Sequence, residues 1–523
     1  MELGLGVEHA PRGVVRPGEG LPHRGLTRLE VAGALEGGRG RVGVRRLQEV
    51  AALLERPERL VLVHRRLLLA PGRRLPLPAF AAVNPAGVPH VPGDGSRRAG
   101  SAARQSSAPT KVEPVPLFQP FRGLRYRGLT DVTAVAAPPY DVIHGDERDH
   151  LAARDPHNAV QLILPIASAH GDGYATAAAL LDAWRADATL APDATPAFYG
   201  YRMTFTDPHG ARRVTHGIVG ALGLPPGGPG TGDILPHERT ISKHRSDRLN
   251  LLEATRTNLD PIWGLTPAPG FGKLAGEPGP DCQRAVDDAG VEHEAWAITA
   301  PDQVEAIAEA VASAPLVLAD GHHRFETACA YRSARAEAGA AHPGDDAIMA
   351  LVVELAEDEL WVAPIHRLVH GAPHARLRLA AAFAVEPLGP ATPDSVAELE
   401  DRMAEAGALG LVDPEGVALL HARPEVVDAE LEVEPPEARG TDAAVFETAV
   451  LPRLAGARLE FRHDASVLAA AVARGDADAV VLLRPVSVAQ IRTASYAGVR
   501  MPQKTTFFAP KPRTGLVFRA LDD

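Results

Sequence analysis

The chain has 523 residues, 45% apolar and 23% charged, with a net charge of −12 and two cysteines, Cys282 and Cys329. This is the composition of a globular protein of more than one domain, and two cysteines exclude a disulfide framework. No apolar run approaches the ~18 residues that span a bilayer, and the N-terminus lacks the basic-then-apolar order of a signal peptide, so a cytoplasmic protein without a membrane partner is expected.

Residues 1–111 carry 17 Arg and one Lys against nine acidic residues, a surplus of +9 within the total of −12 that leaves −21 for the other 412 residues. Only Phe80 of the chain's 24 aromatic residues falls there. So Gly-, Pro- and Arg-rich a stretch buries little core. Three readings stay open: a basic nucleic-acid arm, a native disordered extension, or a start codon assigned too far upstream, with Val112 or Val115 as the true beginning.

From about residue 115 short strands and helices alternate. Residues 158–164 read as a strand and 174–188 as a helix with Leu180, Leu181 and Trp184 on one side. Residues 198–205 and 214–222 read as paired strands across the turn Asp207-Pro208-His209-Gly210. A polar helix is expected over 242–257, a strand near 294–299, a helix near 302–312 and a strand at 315–318. Residues 347–354 and 360–365 read as a hairpin across Glu357-Asp358. Helices are expected at 375–384, 394–406 and 487–496, and a buried strand at 479–483. The tail from Met501 is basic, with Lys504, Lys511 and Arg513. Alternation mixed with hairpins favours an α+β fold, a mixed sheet with flanking helices. Three regions result: the basic extension 1–111, a phosphate-binding α+β region 112–370, and a C-terminal α/β region 371–523 packed on it.

The densest chemistry is Ala319-Asp320-Gly321-His322-His323-Arg324-Phe325-Glu326, between an apolar strand and a helix. A helix start leaves N–H groups unpaired and favours an anion. Gly321 permits a tight turn and close approach of a ligand. Asp320, His322, His323 and Arg324 add a carboxylate, two titratable rings and a forked cation. The plainer reading is a helix capped by Asp320. Adjacent histidines rarely reach one metal ion. A second cluster is Pro236-His237-Glu238-Arg239-Thr240 with Lys243, Arg245 and Arg248. It lacks the second His of a zinc protease, since residue 241 is Ile. Glu238 there suits a general base or an Mg²⁺ ligand beside cations, against the plainer reading of a solvated basic helix face. Gly227 to Asp233 lacks the ending of a phosphate loop and reads as a flexible loop. A body near −21 argues against nucleic acid as the main partner.

These stretches, with Pro120-Phe121-Arg122-Gly123, Ala137-Pro138-Pro139-Tyr140-Asp141-Val142-Ile143, Pro364-Ile365-His366-Arg367 and Met501-Pro502-Gln503-Lys504-Thr505-Thr506-Phe507-Phe508, resemble a bacterial and archaeal family catalogued as domain of unknown function 1015, over about residues 116–519. Its members begin near Phe118, and residues 1–111 depart from the pattern. The Gly-His-His-Arg core also resembles the phosphate-contacting motif of the ParB/sulfiredoxin-like superfamily, which includes free-serine kinases. That resemblance implies a ParB/sulfiredoxin-like core around the turn, with Gly321, His322, His323 and Arg324 on phosphate. Sulfiredoxin chemistry is disfavoured because His322 stands where that motif has Cys, and a ParB role by the missing helix-turn-helix.

The resulting expectation is a nucleotide-dependent phosphotransferase, serine-kinase-like, acting on a small hydroxylated metabolite with ATP or ADP and Mg²⁺. Glu238, His322 and Asp320 would be catalytic. Gly321, His322, His323, Arg324, Lys243 and Arg248 would hold the nucleotide. The alternative is a non-catalytic nucleotide-binding regulator.

Overall fold

The computed structural model describes residues 116–169, 171–239 and 245–523. The expectations for residues 1–111 and for Lys243 lie outside the described residues.

The first sheet has nine strands: β1 (Phe118–Gln119), β2 (Phe198–Thr206), β3 (Arg212–Gly223), β4 (Ile234–Pro236), β5 (Ile262–Thr266), β6 (Gln283–Val286), β7 (Glu292–Ile298), β8 (Leu316–Asp320) and β9 (Ala347–Glu354). Their order is β4-β8-β5-β9-β3-β2-β7-β6, with β1 paired to β3. The β8–β4 and β9–β5 pairs are parallel and the rest antiparallel. Helices cover both faces. Along β9 the side chains alternate between two cores: Met349, Leu351 and Val353 face one, Ile348, Ala350 and Val352 the other. A strand buried on both sides has no polar face, which is why it reads as a continuous apolar run.

The second sheet is antiparallel throughout: β10 (His366–His370), β11 (Phe383–Gly389), β12 (Leu409–Asp413), β13 (Gly416–Ala422), β14 (Arg458–Arg462) and β15 (Ala479–Leu482), in the order β11-β13-β12-β15-β10-β14. It too separates two apolar cores. Its first strand opens at His366, a few residues before the expected boundary. The chain then forms two separate two-stranded pairings with earlier segments. Residues 507–509 pair with Trp361–Ala363, and Arg519–Ala520 pair with Thr257–Asn258. The architecture is mixed α/β, with a mixed sheet and flanking helices.

Three local expectations are corrected. Residues 158–164 are not a strand, because the side chain of Asn158 folds onto the backbone just before a helical turn, Val160–Ile163, whose N-cap is Ala159. The Asn158 side-chain oxygen accepts from the Val160 amide at 3.0 Å, while its amide nitrogen donates to the Ala134 and Ala136 carbonyls. The hairpin of 347–354 with 360–365 does not form, because both edges of β9 are already taken by β3 and β5; Trp361–Ala363 pairs with the C-terminal segment instead. The helix expected over 375–384 ends at Leu379, and β11 follows. No helix among the described residues is long and apolar enough to cross a membrane.

Candidate functional site

Strands β4 and β8 run parallel, with Pro236 opposite Leu318. Their carboxyl ends therefore deliver Glu238 and Asp320 to the same edge of the sheet, the usual place for ligands in open sheets with parallel strands. After β8 the chain turns at Gly321, whose φ of +83° lies in the left-handed region. A Cβ there would stand 2.8 Å from Ile262 Cγ2, so glycine is required twice over. Helix α1 (His322–Glu337) begins at once, with Gly321 rather than Asp320 as its N-cap and no side-chain cap. The plainer reading, a helix capped by Asp320, is thus not what the turn shows. The Asp320 carboxylate instead accepts from the Gly321 amide at 2.9 Å and from Lys511 Nζ at 2.7 Å.

The amino end of α1 opens into a basin of about 610 Å³, a size suited to a nucleotide or drug-sized ligand. Five segments and Ile365 wall it: Tyr140 to His144, Glu238 with Arg239, Ala319 to Arg324, Glu460 to His463 at the end of β14, and Gln503 to Lys511. The expected residues Glu238, Asp320, Gly321, His322, His323 and Arg324 all meet there. Arg248 does not line it. Arg248 lies behind, 4.2 Å over the Tyr140 ring, paired with Asp247 and donating to the Ile163 carbonyl at 3.0 Å. Lysine 511, the two threonines 505 and 506, Phe507, Arg462 and His463 were given no role by sequence reasoning. The basic tail carrying Lys504 and Lys511 and the family landmark Met501 to Phe508 were the signals that could have found part of this wall.

The charges are arranged with care. Burial alone would raise the Asp320 pKa, but Lys511 and Arg324 outweigh it and hold the carboxyl well below its usual range. Arg324 donates to the Pro261 carbonyl at 2.7 Å. Burial disfavours its charge, yet Asp260, Asp320 and Asp141 more than compensate and keep it firmly protonated. His322 is pushed down to about 3, by burial first and then by His237, whose ring lies 5.1 Å away. Its Nε2 is buried and has no hydrogen-bond partner among the described residues.

Glu238 is the outlier among the carboxylates. Burial pushes its pKa up to about 7, against the Thr505 amide, Lys504 and Arg367, which pull it down. One oxygen, Oε1, accepts from the Thr505 amide at 2.8 Å. The other, Oε2, lies 3.5 Å from Thr506 Oγ1 and 3.8 Å from His237 Nε2. A C-terminal strap holds this geometry: Met501 donates to the His237 carbonyl at 2.8 Å and accepts from the Arg239 amide at 3.1 Å. Arg239 itself is committed to Glu434 and Glu447.

A sequence family described as "Protein of unknown function (DUF1015)" matches residues 118–443. No curated protein matches the chain. Among solved structures, a conserved hypothetical protein from Pyrococcus furiosus aligns at 12% identity and a TM-score of 0.31, over 55% of this chain and 93% of that one. A free serine kinase in complex with AMP aligns at 14% identity and 0.29, over 55% and 88%. SbnI with a C-terminal truncation, from Staphylococcus aureus, aligns at 11% and 0.28, over 55% and 83%. At such scores these likenesses assign no activity.

Proposed function

The chain belongs to the DUF1015 family, whose description gives no activity, and on that footing we propose that it is a nucleotide-dependent phosphotransferase acting on a small hydroxylated metabolite, with serine the first candidate. One observation carries the reading. A carboxyl with a pKa near 7 stands beside a glycine-opened helix start, in one basin with Arg324 and Lys511. A general base works best when its pKa lies near the working pH. The resemblance of the Gly-His-His-Arg core to the phosphate motif of ParB/sulfiredoxin-like proteins supports the same assignment.

In this reading the free N–H groups of α1, with Arg324 and Lys511, hold the phosphates of ATP or ADP. Asp320 acts as a positioning residue that aims Lys511. The acceptor hydroxyl gives its proton to Glu238 Oε2 as its oxygen bonds to the terminal phosphorus. The bond from that phosphorus to the bridging oxygen breaks, and the shortened nucleotide leaves with the electron pair. The cations are in place before charge moves to that oxygen, which is where electrostatic catalysis acts. For Mg²⁺, no group of three His, Cys, Asp or Glu among the described residues forms a cage. An ion arriving on phosphate oxygens needs only one or two carboxylates, and exposed Asp141 on the basin wall would supply one. Bound there, Mg²⁺ would neutralise the charge gathering on the bridging oxygen.

The test uses the full chain with ATP or ADP, Mg²⁺ and a panel of hydroxylated amino acids and hydroxy acids, read by ³¹P NMR. A new phosphomonoester signal is expected. Nucleotide binding without turnover would make the protein a nucleotide-responsive regulator instead, and no binding would end both readings.

A further inference from the structure

The basin has an aromatic wall that phosphate binding alone leaves without a task. His463 follows directly on β14, the edge strand of the second sheet, and is exposed. Its ring lies flat on that of Phe507, with centroids 4.4 Å apart and planes within 7°. Lys511 also lies over the Phe507 ring, its Nζ 4.7 Å from the ring centroid. Lys511 in turn grips Asp320 at the phosphate turn at 2.7 Å. The result is a ladder: phosphate turn, cation, phenyl ring, imidazole. It begins where an anion would dock and ends on an exposed residue whose ring is stacked on Phe507.

We propose that the outer face of His463 is the platform on which the base of the bound nucleotide stacks, so that the site takes a nucleoside di- or triphosphate rather than free phosphate. This rests on the nucleotide reading above and adds a base subsite to it. The cation at the phosphate turn and the flat ring of His463 are separate features of one basin, as the charged and flat ends of a nucleoside diphosphate are held apart by its sugar. A phosphate or pyrophosphate could touch only the ladder's first rung. Stacking needs a π-face and no matched hydrogen bonds, so it tolerates different bases but rewards the larger purine surface. The Lys511 cation beneath Phe507 holds that ring in place through its face, which keeps the platform rigid before ligand arrives.

The test is a calorimetric titration of the full chain with ADP and, separately, with inorganic pyrophosphate. Base–aromatic stacking lost to alanine corresponds to roughly a 5- to 150-fold weakening. His463→Ala should weaken ADP by that factor and leave pyrophosphate unchanged. His463→Phe should bind ADP as the natural protein does, since only a flat ring is needed. The position is exposed, so neither change endangers folding. If His463→Ala binds ADP normally, or loses ADP and pyrophosphate alike, the base subsite is wrong. If the unaltered protein binds pyrophosphate but not ADP, the nucleotide reading fails with it.

Discussion

Replacing Glu238 by glutamine should cost activity and add stability, and both effects follow from burying one carboxyl. The folded protein holds the Glu238 proton up to about pH 7. An open chain releases it near pH 4.3. Between those values the folded state binds more protons than the unfolded one. Stability therefore falls as pH rises through the window and levels off above it. At about 1.4 kcal/mol per pH unit, the accumulated loss is about 4 kcal/mol. The side chain is 14% exposed, so little of this is relieved by solvent. Glutamine is neutral, has the same shape, can still accept from the Thr505 amide through its oxygen and can turn its NH₂ toward Thr506. The stability difference between Glu238→Gln and the natural protein should therefore grow by about 4 kcal/mol in the variant's favour between pH 4 and pH 8. Urea midpoints across that range measure it. Phosphoryl transfer should fall by about 10²- to 10⁴-fold, the usual loss of a general base. Parallel pH–stability curves for the two proteins would show that the carboxyl is not held near neutrality, and undiminished turnover would remove it from the chemistry.

Two other substitutions test the phosphate end. Asp320→Asn keeps an acceptor for the Gly321 amide but sets an NH₂ group against Lys511; with the pair 24% and 12% exposed, a loss of about 2 kcal/mol in denaturant unfolding at pH 7 is expected. Because the Asp320 pKa is depressed on folding, the natural protein's advantage should be full above about pH 4 and shrink as pH falls below it, which a chemical-denaturation series from pH 7 down to pH 3 would reveal. Arg324→Lys keeps the charge but loses the planar fork and the bond to the Pro261 carbonyl; ADP affinity by calorimetry should drop roughly 10- to 100-fold while the melting temperature moves little, and an unchanged affinity would remove Arg324 from the phosphate site.

The half of the site that could be read from sequence is the half that is continuous along the chain. A strand, a glycine and a helix rich in charge stand within a dozen residues, so local rules locate the turn and the basin confirms where it faces. The other half arrives from far away. Thr505 reaches Glu238 across 267 residues and Lys511 reaches Asp320 across 191. Periodicity carries no information about such meetings. The misread hairpin has the same cause: residues 347–354 and 360–365 are neighbours in sequence, but both edges of β9 are filled by strands from elsewhere. The strand expected at 158–164 failed for a smaller reason, a single Asn158 side chain that binds backbone groups on both sides of it and so favours a turn of helix.

The distant half also sets the chemistry of the near half, through hydrogen bonds whose direction can be worked out. His237 Nδ1 lies 2.6 Å from the Leu318 carbonyl, which can only accept, so Nδ1 carries the proton. Burial holds the His237 pKa down at about 4, so the ring is neutral near pH 7 and its Nε2 must be an acceptor. The hydroxyl of Thr506, 2.7 Å from that nitrogen, therefore spends its one hydrogen on His237. What it turns toward Glu238 Oε2, 3.5 Å away, is a lone pair. A lone pair facing a carboxyl favours the protonated acid over the anion. The Leu318 carbonyl, at the end of the strand that leads into the phosphate turn, thus fixes a tautomer, the tautomer fixes a hydroxyl, and the hydroxyl adds to burial in keeping Glu238 protonated until an acceptor or a cation-bound phosphate changes its surroundings. Replacing His237 with a residue that leaves the Thr506 hydrogen free would let that hydroxyl donate to Glu238 and lower its pKa, so the acidity of the base is set by the strand and strap around it as much as by its own burial.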